Sequence, residues 1–253
     1  GVMTGSTLDP SRLETILDEV AKEVRSEAPK LLEAAAEAAE AAGKPAPRKR
    51  DFERFGMAVF TRDGDLLKAG NAGVRFPIQS ISKVFALAVA LEAMGESLWQ
   101  RIGREPSGDA FNSIIDLERD KGVPRNPFIN AGALVICDVI LGLKRQDDPN
   151  RRVVDFVEAM LDSEPLELDP DVMKSDRDGG DLNRSLMFMA KHHGNLRNDV
   201  ATVMEAYVHQ CAMSLDCVGL AKAGRFLMHD GPDERTELPV GAAQRVRRIL
   251  SIM

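Results

Sequence analysis

Aromatic residues are scarce in this sequence, and basic residues are outnumbered by acidic ones. Only 5% of its 253 residues are aromatic, which argues against a protein that stacks nucleic-acid bases or sugar rings on exposed side chains. Acidic residues outnumber basic ones by 40 to 33, for a net charge of −7. The densest basic cluster, "RKR" at residues 48–50, is too short to form the basic stripe typical of nucleic-acid binding. We therefore exclude nucleic acid as the main partner.

Long apolar runs and an even set of cysteines are also missing. No apolar run approaches the roughly 18 residues that a membrane-spanning helix needs, and the N-terminal residues are too polar for a signal peptide. Cysteine occurs at three positions, Cys137, Cys211 and Cys217, and the first two fall in apolar helical stretches. These features predict buried reduced thiols, no membrane partner and a cytoplasmic location.

Apolar residues at helical spacing dominate what the sequence does contain. Residues 9–43 are rich in Ala, Glu, Leu and Lys, and Pro29 is expected to divide them into two helices. A Pro-containing linker at 44–50 precedes residues 55–70, which predict a β-hairpin turning at Asp63-Gly64. Further helices are predicted at 80–94, 109–121, 130–143, 150–162, 182–193, 198–210, 215–229 and 240–252.

The stretch "FPIQSISKVFALAVALEAM" (76–94) contains a single charged side chain before Glu92, that of Lys83. In a helix Ser80 and Lys83 lie on one face. Burial and the helix dipole both favour an uncharged amine, and an uncharged amine beside a hydroxyl can act as the general base for a serine nucleophile. The alternative is that Lys83 extends to solvent and Ser80 only caps the helix. The spacing alone leaves both interpretations open.

Three segments carry a family resemblance: "FPIQSISKVFALAVALEAMG", "EPSGDAFNSI" and "KGVPRNPFINAGAL". Together they resemble the serine-dependent glutaminases, relatives of the β-lactamase and penicillin-binding Ser-x-x-Lys enzymes. The resemblance implies a helix-rich α+β fold of the β-lactamase/transpeptidase type, with a large helical domain and a reduced or incomplete antiparallel sheet. It also implies hydrolysis of L-glutamine to L-glutamate and ammonia, no metal or organic cofactor, and a homo-oligomer, either a dimer or a tetramer.

The same resemblance assigns roles to individual residues. It implies that Ser80 is the nucleophile and that Lys83 is its activating base. It also implies that the amino-acid end of glutamine is bound by Asn130, Asp176, Asn183 and Tyr207. The family has a glutamate where this chain has Asp176, so its carboxylate is one methylene shorter here. Taken without the resemblance, Asn130 would be read as a helix cap, and Asn183 and Tyr207 as ordinary turn and packing residues.

The chain also departs from the family pattern. Residues 43–56 lack the family tyrosine of a "YIP"-like segment, since Tyr207 is the only tyrosine. We expect an Ala/Glu-rich helical segment and linker at 1–50 and a glutaminase-like domain at 51–253. That domain is expected to lack the family's C-terminal sheet portion, with its Cys-Gly-Met-Tyr segment and its Lys-Ser-Gly strand. Losing one oxyanion donor in that portion would cost on the order of a hundred- to a thousandfold in rate.

Three functions therefore remain open. The first is a glutaminase. The second is a Ser-x-x-Lys hydrolase acting on another amide or ester, such as a β-lactam. The third is a truncated or remodelled helical domain of the same family without catalysis. We favour the first, because the matching segments extend well beyond the Ser80–Lys83 pair.

Overall fold

Helices make up most of the computed structural model, which describes residues 9–106, 113–144, 147–228 and 242–253. The α-helices are α1 Pro10–Ala41, α2 Lys49–Glu53, α3 Ser82–Met94, α4 Ile114–Arg119, α5 Asn130–Leu141, α6 Arg152–Glu158, α7 Pro170–Asp178, α8 Asp181–His192, α9 Val200–Cys211, α10 Cys217–Ala223 and α11 Ala242–Ile252. Short 3₁₀ helices are Gln79–Ile81, Gly95–Gln100, Pro149–Arg151 and Arg225–Met228. Among the helices described, none is long and apolar enough to cross a membrane.

The strands are short and form two small sheets. Strands β1 Gly56–Phe60 and β2 Leu66–Gly70 pair in antiparallel fashion, which confirms the predicted hairpin. The second sheet has the order β3-β5-β4, with β3 Phe76–Pro77, β4 Glu167–Leu168 and β5 Met213–Leu215. Strands of two or three residues are too short to show an alternating pattern, so the sequence did not reveal them. The predicted helix-rich α+β class is confirmed.

Most predicted helices are present with shorter bounds. The segment predicted at 80–94 begins with a 3₁₀ turn and becomes α-helical at Ser82. The segment predicted at 215–229 is interrupted between α10 and the last 3₁₀ helix, and its residue 229 lies outside the described residues. Of the segments predicted at 109–121 and 240–252, residues 109–112 and 240–241 also lie outside them. Helices α2 and α7 were not predicted.

The chain divides into two compact units. The first comprises the residues up to Arg75 together with Leu215–Lys222, and the second comprises Phe76–Ser214 and Ala223–Met253. The predicted boundary at residue 50 falls inside the first unit. A division into 1–50 and 51–253 therefore remains a prediction about the extent of the family domain and does not describe these units.

In the first unit, helix α1 covers one face of the hairpin. Leu17 and Ala21 of α1 form a buried cluster with Leu67 and Ala69 of β2. A two-stranded hairpin is marginally stable by itself and needs such a partner. The Ala/Glu-rich N-terminal helix thus supplies apolar support to the hairpin.

The expectation that Pro29 divides this helix is wrong, because α1 continues without a break from Pro10 to Ala41. A proline inside a helix removes one backbone hydrogen bond and crowds the carbonyl four residues earlier. The alanine, leucine and glutamate residues on both sides of Pro29 are strong helix formers. Burial of Leu17, Ala21 and Ala28 adds to the stability of the continuous helix.

Helices α3 and α5 form the centre of the second unit. In α3 nine of thirteen residues are buried, and in α5 ten of twelve are buried. Helix α5 packs against α3, α8 and α9. The even distribution of apolar residues around α3 predicted central burial, and the structure confirms it.

A buried carboxylate ties α5 to the start of α9. Asp138 is 1% exposed and accepts hydrogen bonds from the Arg101 guanidinium, the N–H groups of Arg197 and Asn198, and the Asn198 side-chain amide. Burial alone would raise the pKa of Asp138, but these hydrogen bonds outweigh it and hold the pKa below its ordinary value. The ionised form of Asp138 therefore contributes to stability at neutral pH.

We expect Asp138→Asn to lower the free energy of unfolding by about 3–5 kcal/mol at pH 7, because it leaves Arg101 without its buried counter-charge. The folded-state pKa is depressed, so this contribution is complete above the ordinary carboxyl pKa and is lost as pH falls through the folded-state pKa. The difference between wild type and variant should therefore shrink below about pH 4. Urea unfolding over a pH series measures it.

The matched control is Asp155→Asn, which removes the exposed ion pair of Arg151 with Asp155, a side chain 62% exposed. Such a pair contributes less than about 1 kcal/mol. Equal losses in the two variants would contradict a stabilising role for the buried carboxylate.

Candidate active site

Ser80 lies at a sharp junction between a strand and a helix. The N–H of Ile78 donates to the Met213 carbonyl over 2.9 Å, which fixes the end of β3 on β5. Gln79 then adopts a positive φ of 45°, a conformation that costs energy for a residue other than glycine. The 3₁₀ turn that follows leaves Ser80 exposed, whereas Ser82 is completely buried. Only the first serine of the "SISK" motif is therefore accessible.

Lys83 follows one helical turn later and is 5% exposed. Its Nζ donates to the Phe128 carbonyl over 3.2 Å and to Oδ1 of Asn130 over 2.8 Å. Burial lowers the pKa of Lys83, and the nearby Cys211 opposes this to a smaller extent. The alternative that Lys83 extends into solvent is wrong.

Asn130 begins α5 without capping it. The N-cap position is Ile129, whose own side chain makes no capping hydrogen bond. The Asn130 amide oxygen instead accepts the hydrogen bond from Lys83. Helix capping is therefore not the role of this asparagine.

The segment that carries Phe128 passes very close to α5. A Cβ atom placed on Gly132 would lie 2.0 Å from the Asn126 carbonyl oxygen, far inside van der Waals contact. Gly132 therefore permits the approach that brings Phe128 and Asn130 to the amine of Lys83.

A polar cavity of about 290 Å³ opens beside Ser80. Five of the six predicted site residues line it, and the sixth, Lys83, donates a hydrogen bond to one of them, Asn130. The lining residues are Gln79, Ser80, Asn130, Ser175, Asp176, Gly179, Gly180, Asn183, Tyr207 and Cys211. The volume is at the lower end of the range for small-molecule sites, about 300–1,000 Å³, and suits a ligand the size of a free amino acid.

Three of the predicted residues reach the cavity from different helices. Asp176 lies on α7, Asn183 on α8 and Tyr207 on α9. Burial raises the pKa of the Asp176 carboxyl, and no opposite charge among the described residues offsets this effect. Burial also raises the pKa of Tyr207 well above its ordinary value, so its hydroxyl stays protonated at neutral pH.

Two arginines hold these helices together on the outside of the cavity. Arg177, next to Asp176, donates from Nε to Oε2 of Glu205 on α9 over 3.0 Å. Arg184, next to Asn183, donates to the backbone carbonyl of Arg177. Each arginine thus neighbours a cavity residue in sequence and fixes that residue's helix in space.

With this geometry established, similarity to known proteins identifies the family. A sequence model described as Glutaminase matches residues 40–253. The chain belongs to the glutaminase family. Within that family it is 44% identical over 209 residues to the glutaminase of Rhizobium rhizogenes, which covers 83% of this chain and 68% of the relative. It is 43% identical over 230 residues to that of Mesorhizobium japonicum, which covers 88% of this chain and 73% of the relative.

The fold agrees with solved glutaminase structures. The crystal structure of a probable glutaminase of Bacillus subtilis superposes with a TM-score of 0.74 at 29% identity, covering 92% of this chain and 73% of that chain. The predicted β-lactamase-like fold is therefore confirmed. Within the described residues, no group of three or more His, Cys, Asp or Glu side chains could hold a metal ion, and the expectation of no cofactor stays a prediction.

Several cavity residues were missed in the sequence of this glutaminase homologue. Ser175 escaped notice because α7 was not predicted, although Asp169 caps that helix and Pro170 occupies its first turn, a recognisable start signal. Cys211 was predicted only as a buried thiol. It is buried, but it also lines the cavity, where burial raises its pKa to about 11. Its contact with Tyr207 has no signal in the sequence beyond the helical spacing of four.

We expect Gly132→Ala to lower the free energy of unfolding by about 1–3 kcal/mol, because the new methyl group meets backbone atoms that have little freedom to move. Thermal or urea unfolding measures it. Gly142→Ala at the end of the same helix is the control, since its Cβ would meet nothing closer than 3.4 Å. That control should be neutral or slightly stabilising. A neutral Gly132→Ala would show that the 126–130 segment is not tightly held.

Proposed function

We propose that this chain hydrolyses L-glutamine to L-glutamate and ammonia through an acyl-enzyme on Ser80. The observation that carries the proposal is the buried amine of Lys83, which follows Ser80 by one turn and is bonded to Asn130, a residue that lines the same cavity as Ser80. Membership of the glutaminase family supports the choice of substrate.

In the first half-reaction Lys83 acts as the base. Its uncharged amine accepts the proton of the Ser80 hydroxyl while Oγ attacks the side-chain amide carbon of glutamine. The tetrahedral intermediate collapses as the Lys83 ammonium gives this proton to the departing nitrogen, which releases ammonia, restores the uncharged amine and leaves a glutamyl ester on Ser80. In the second half-reaction water loses a proton to the amine and attacks the ester. Ser80 regains its proton and glutamate departs.

The cavity has the groups needed to hold an amino acid. The α-ammonium of glutamine requires an anionic acceptor, and Asp176 provides a carboxylate whose pKa is raised by burial. Binding of the ammonium would offset that burial. The α-carboxylate requires donors, and Asn130, Asn183 and the protonated hydroxyl of Tyr207 provide them.

The biological setting that we infer is a cytoplasmic homo-oligomer, a dimer or a tetramer. The cytoplasmic location is supported by the sparse cysteines, of which Cys137 and Cys211 are buried and unpaired. The oligomer is inferred from the family resemblance, and its copy number follows from size-exclusion chromatography with light scattering.

We expect Ser80→Ala to reduce ammonia release from L-glutamine by on the order of 10⁴–10⁶-fold, as for other serine nucleophiles. The control is Ser82→Ala, which removes the buried serine of the same motif and should retain activity. Ammonia and glutamate are measured together to establish equal yields.

Labelling of Ser80 by a penicillin without ammonia release would favour a hydrolase of another amide or ester. A folded wild type that neither binds nor hydrolyses glutamine would favour a non-catalytic domain.

We expect the activity to rise with pH through the ionisation of Lys83, because only the uncharged amine accepts the serine proton. Burial lowers the pKa of Lys83 from its ordinary value of 10.5, so the rise should be complete at a lower pH than for an exposed lysine. The profile of kcat/KM against pH measures it. Lys83→Arg should be inactive throughout, since a guanidinium does not give up its proton. An active Lys83→Arg would rule out this base.

A further inference from the structure

Asn126 is a buried side chain whose polar atoms are all engaged. It is 6% exposed and is not part of the cavity lining. Its Oδ1 accepts from the N–H of Phe128 over 2.9 Å and from that of Ile129 over 3.2 Å. Its Nδ2 donates to the Glu105 carbonyl over 2.9 Å. One amide thus closes the turn at 126–129 and anchors it to a neighbouring segment.

This turn delivers both of the acceptors described for Lys83. The Phe128 carbonyl and the Asn130 amide oxygen lie 3.2 Å and 2.8 Å from Nζ, and they come from either side of Ile129, whose N–H is held by Asn126. An uncharged amine has two N–H bonds and one lone pair in a tetrahedral arrangement. Placing two acceptors therefore fixes the direction of the lone pair.

We propose that Asn126 is a positioning residue, which holds Phe128 and Asn130 in place so that they direct the lone pair of Lys83 toward Ser80 and exclude water from the amine. This inference rests on the proposed role of Lys83 as the base. Gly132 supports the same turn from the other side, because it leaves room for the Asn126 backbone.

The titratable groups around Lys83 belong to other elements. Cys211 of α9 acts directly on Lys83, and it is an uncharged thiol at neutral pH because burial raises its pKa to about 11. Tyr207 of α9 contacts Cys211, Asp176 reaches the cavity from α7, and Cys137 lies on α5. The turn at 126–129 contains no titratable side chain. A substitution at Asn126 therefore acts on Lys83 through the turn and not by removing a charge.

The direct experiment compares Asn126→Ala with Asn195→Ala in the full chain. Asn195 is a matched control because it is also a buried asparagine, 9% exposed, and its side chain also makes three hydrogen bonds, to Arg101 and Gly122. The chain is labelled with ¹³Cε-lysine, and Lys83→Arg identifies the signal of Lys83. In Asn126→Ala the titration of that signal should move upward by roughly half a pH unit or more, since water reaches the amine. In Asn195→Ala it should not move.

Kinetics provide a second measurement. In Asn126→Ala we expect kcat at neutral pH to fall by roughly ten- to a hundredfold, as for a misplaced catalytic group, with little change in KM. The ascending limb of the pH profile should shift to higher pH. Asn126→Ser retains one acceptor oxygen and should give intermediate shifts. If Asn126→Ala does not fold, Asn126→Ser is the variant used for both measurements.

Two results would overturn the proposal. The first is an unshifted Lys83 titration in Asn126→Ala and Asn126→Ser. The second is the same loss of stability and the same pH profile in the Asn126 and Asn195 variants, which would make Asn126 only structural. Failure of the proposed function gives a different result, namely a wild type that releases no ammonia. The NMR titration of Lys83 does not depend on that activity, so it still tests the role of Asn126.

Discussion

The burial of one amine constrains the whole arrangement around Ser80. Lys83 lies in α3, whose other buried residues apart from Ser82 are apolar, and an ammonium without compensation there would be costly. The uncharged amine is favoured there, and its N–H bonds are directed at two oxygen acceptors, the Phe128 carbonyl and the Asn130 amide. Both come from a segment 45 to 47 residues away in sequence. The start of α5, the turn before it and the close approach at Gly132 together bring these oxygens to one nitrogen.

The other cavity residues are held by polar contacts between helices. Asp138 fixes α5 relative to the residues before α9, and the Arg177–Glu205 pair joins α7 to α9. Of these contacts only the Arg101–Asp138 pair is buried, and removing one partner of a buried pair leaves the other charge uncompensated; the Arg177–Glu205 pair is partly exposed, with side chains 44% and 35% accessible. The resulting arrangement places a carboxylate, two amides and a tyrosine around a small cavity beside an accessible serine. The same helices could pack by apolar contacts alone without specifying where these groups point.

Local patterns in the sequence predicted the elements that depend on local forces. The charge-free run around Lys83 predicted a buried helix, the apolar run after Asn130 predicted another, and Asp63-Gly64 predicted the hairpin turn. The family resemblance added the candidates at Asp176, Asn183 and Tyr207, which spacing alone did not single out. Sequence patterns failed where packing outweighed a local preference, as at Pro29, and where an element was too short to be periodic, as for β3 and β4. They also overlooked α7, although its capping Asp169 was a usable signal.

The order of residues was sufficient to place Ser80 and Lys83 one turn apart, to predict apolar surroundings for Lys83 and to predict a helix-rich fold. All of these depend on neighbours along the chain. Tertiary packing alone decided that Ser80 is exposed while Ser82 is buried. It also decided that Asn130 bonds to Lys83 instead of capping its helix, and that the Asn126 side chain closes the turn at 126–129. These features depend on atoms that are far apart in sequence and meet only after the helices have packed. No periodicity or local propensity carries that information.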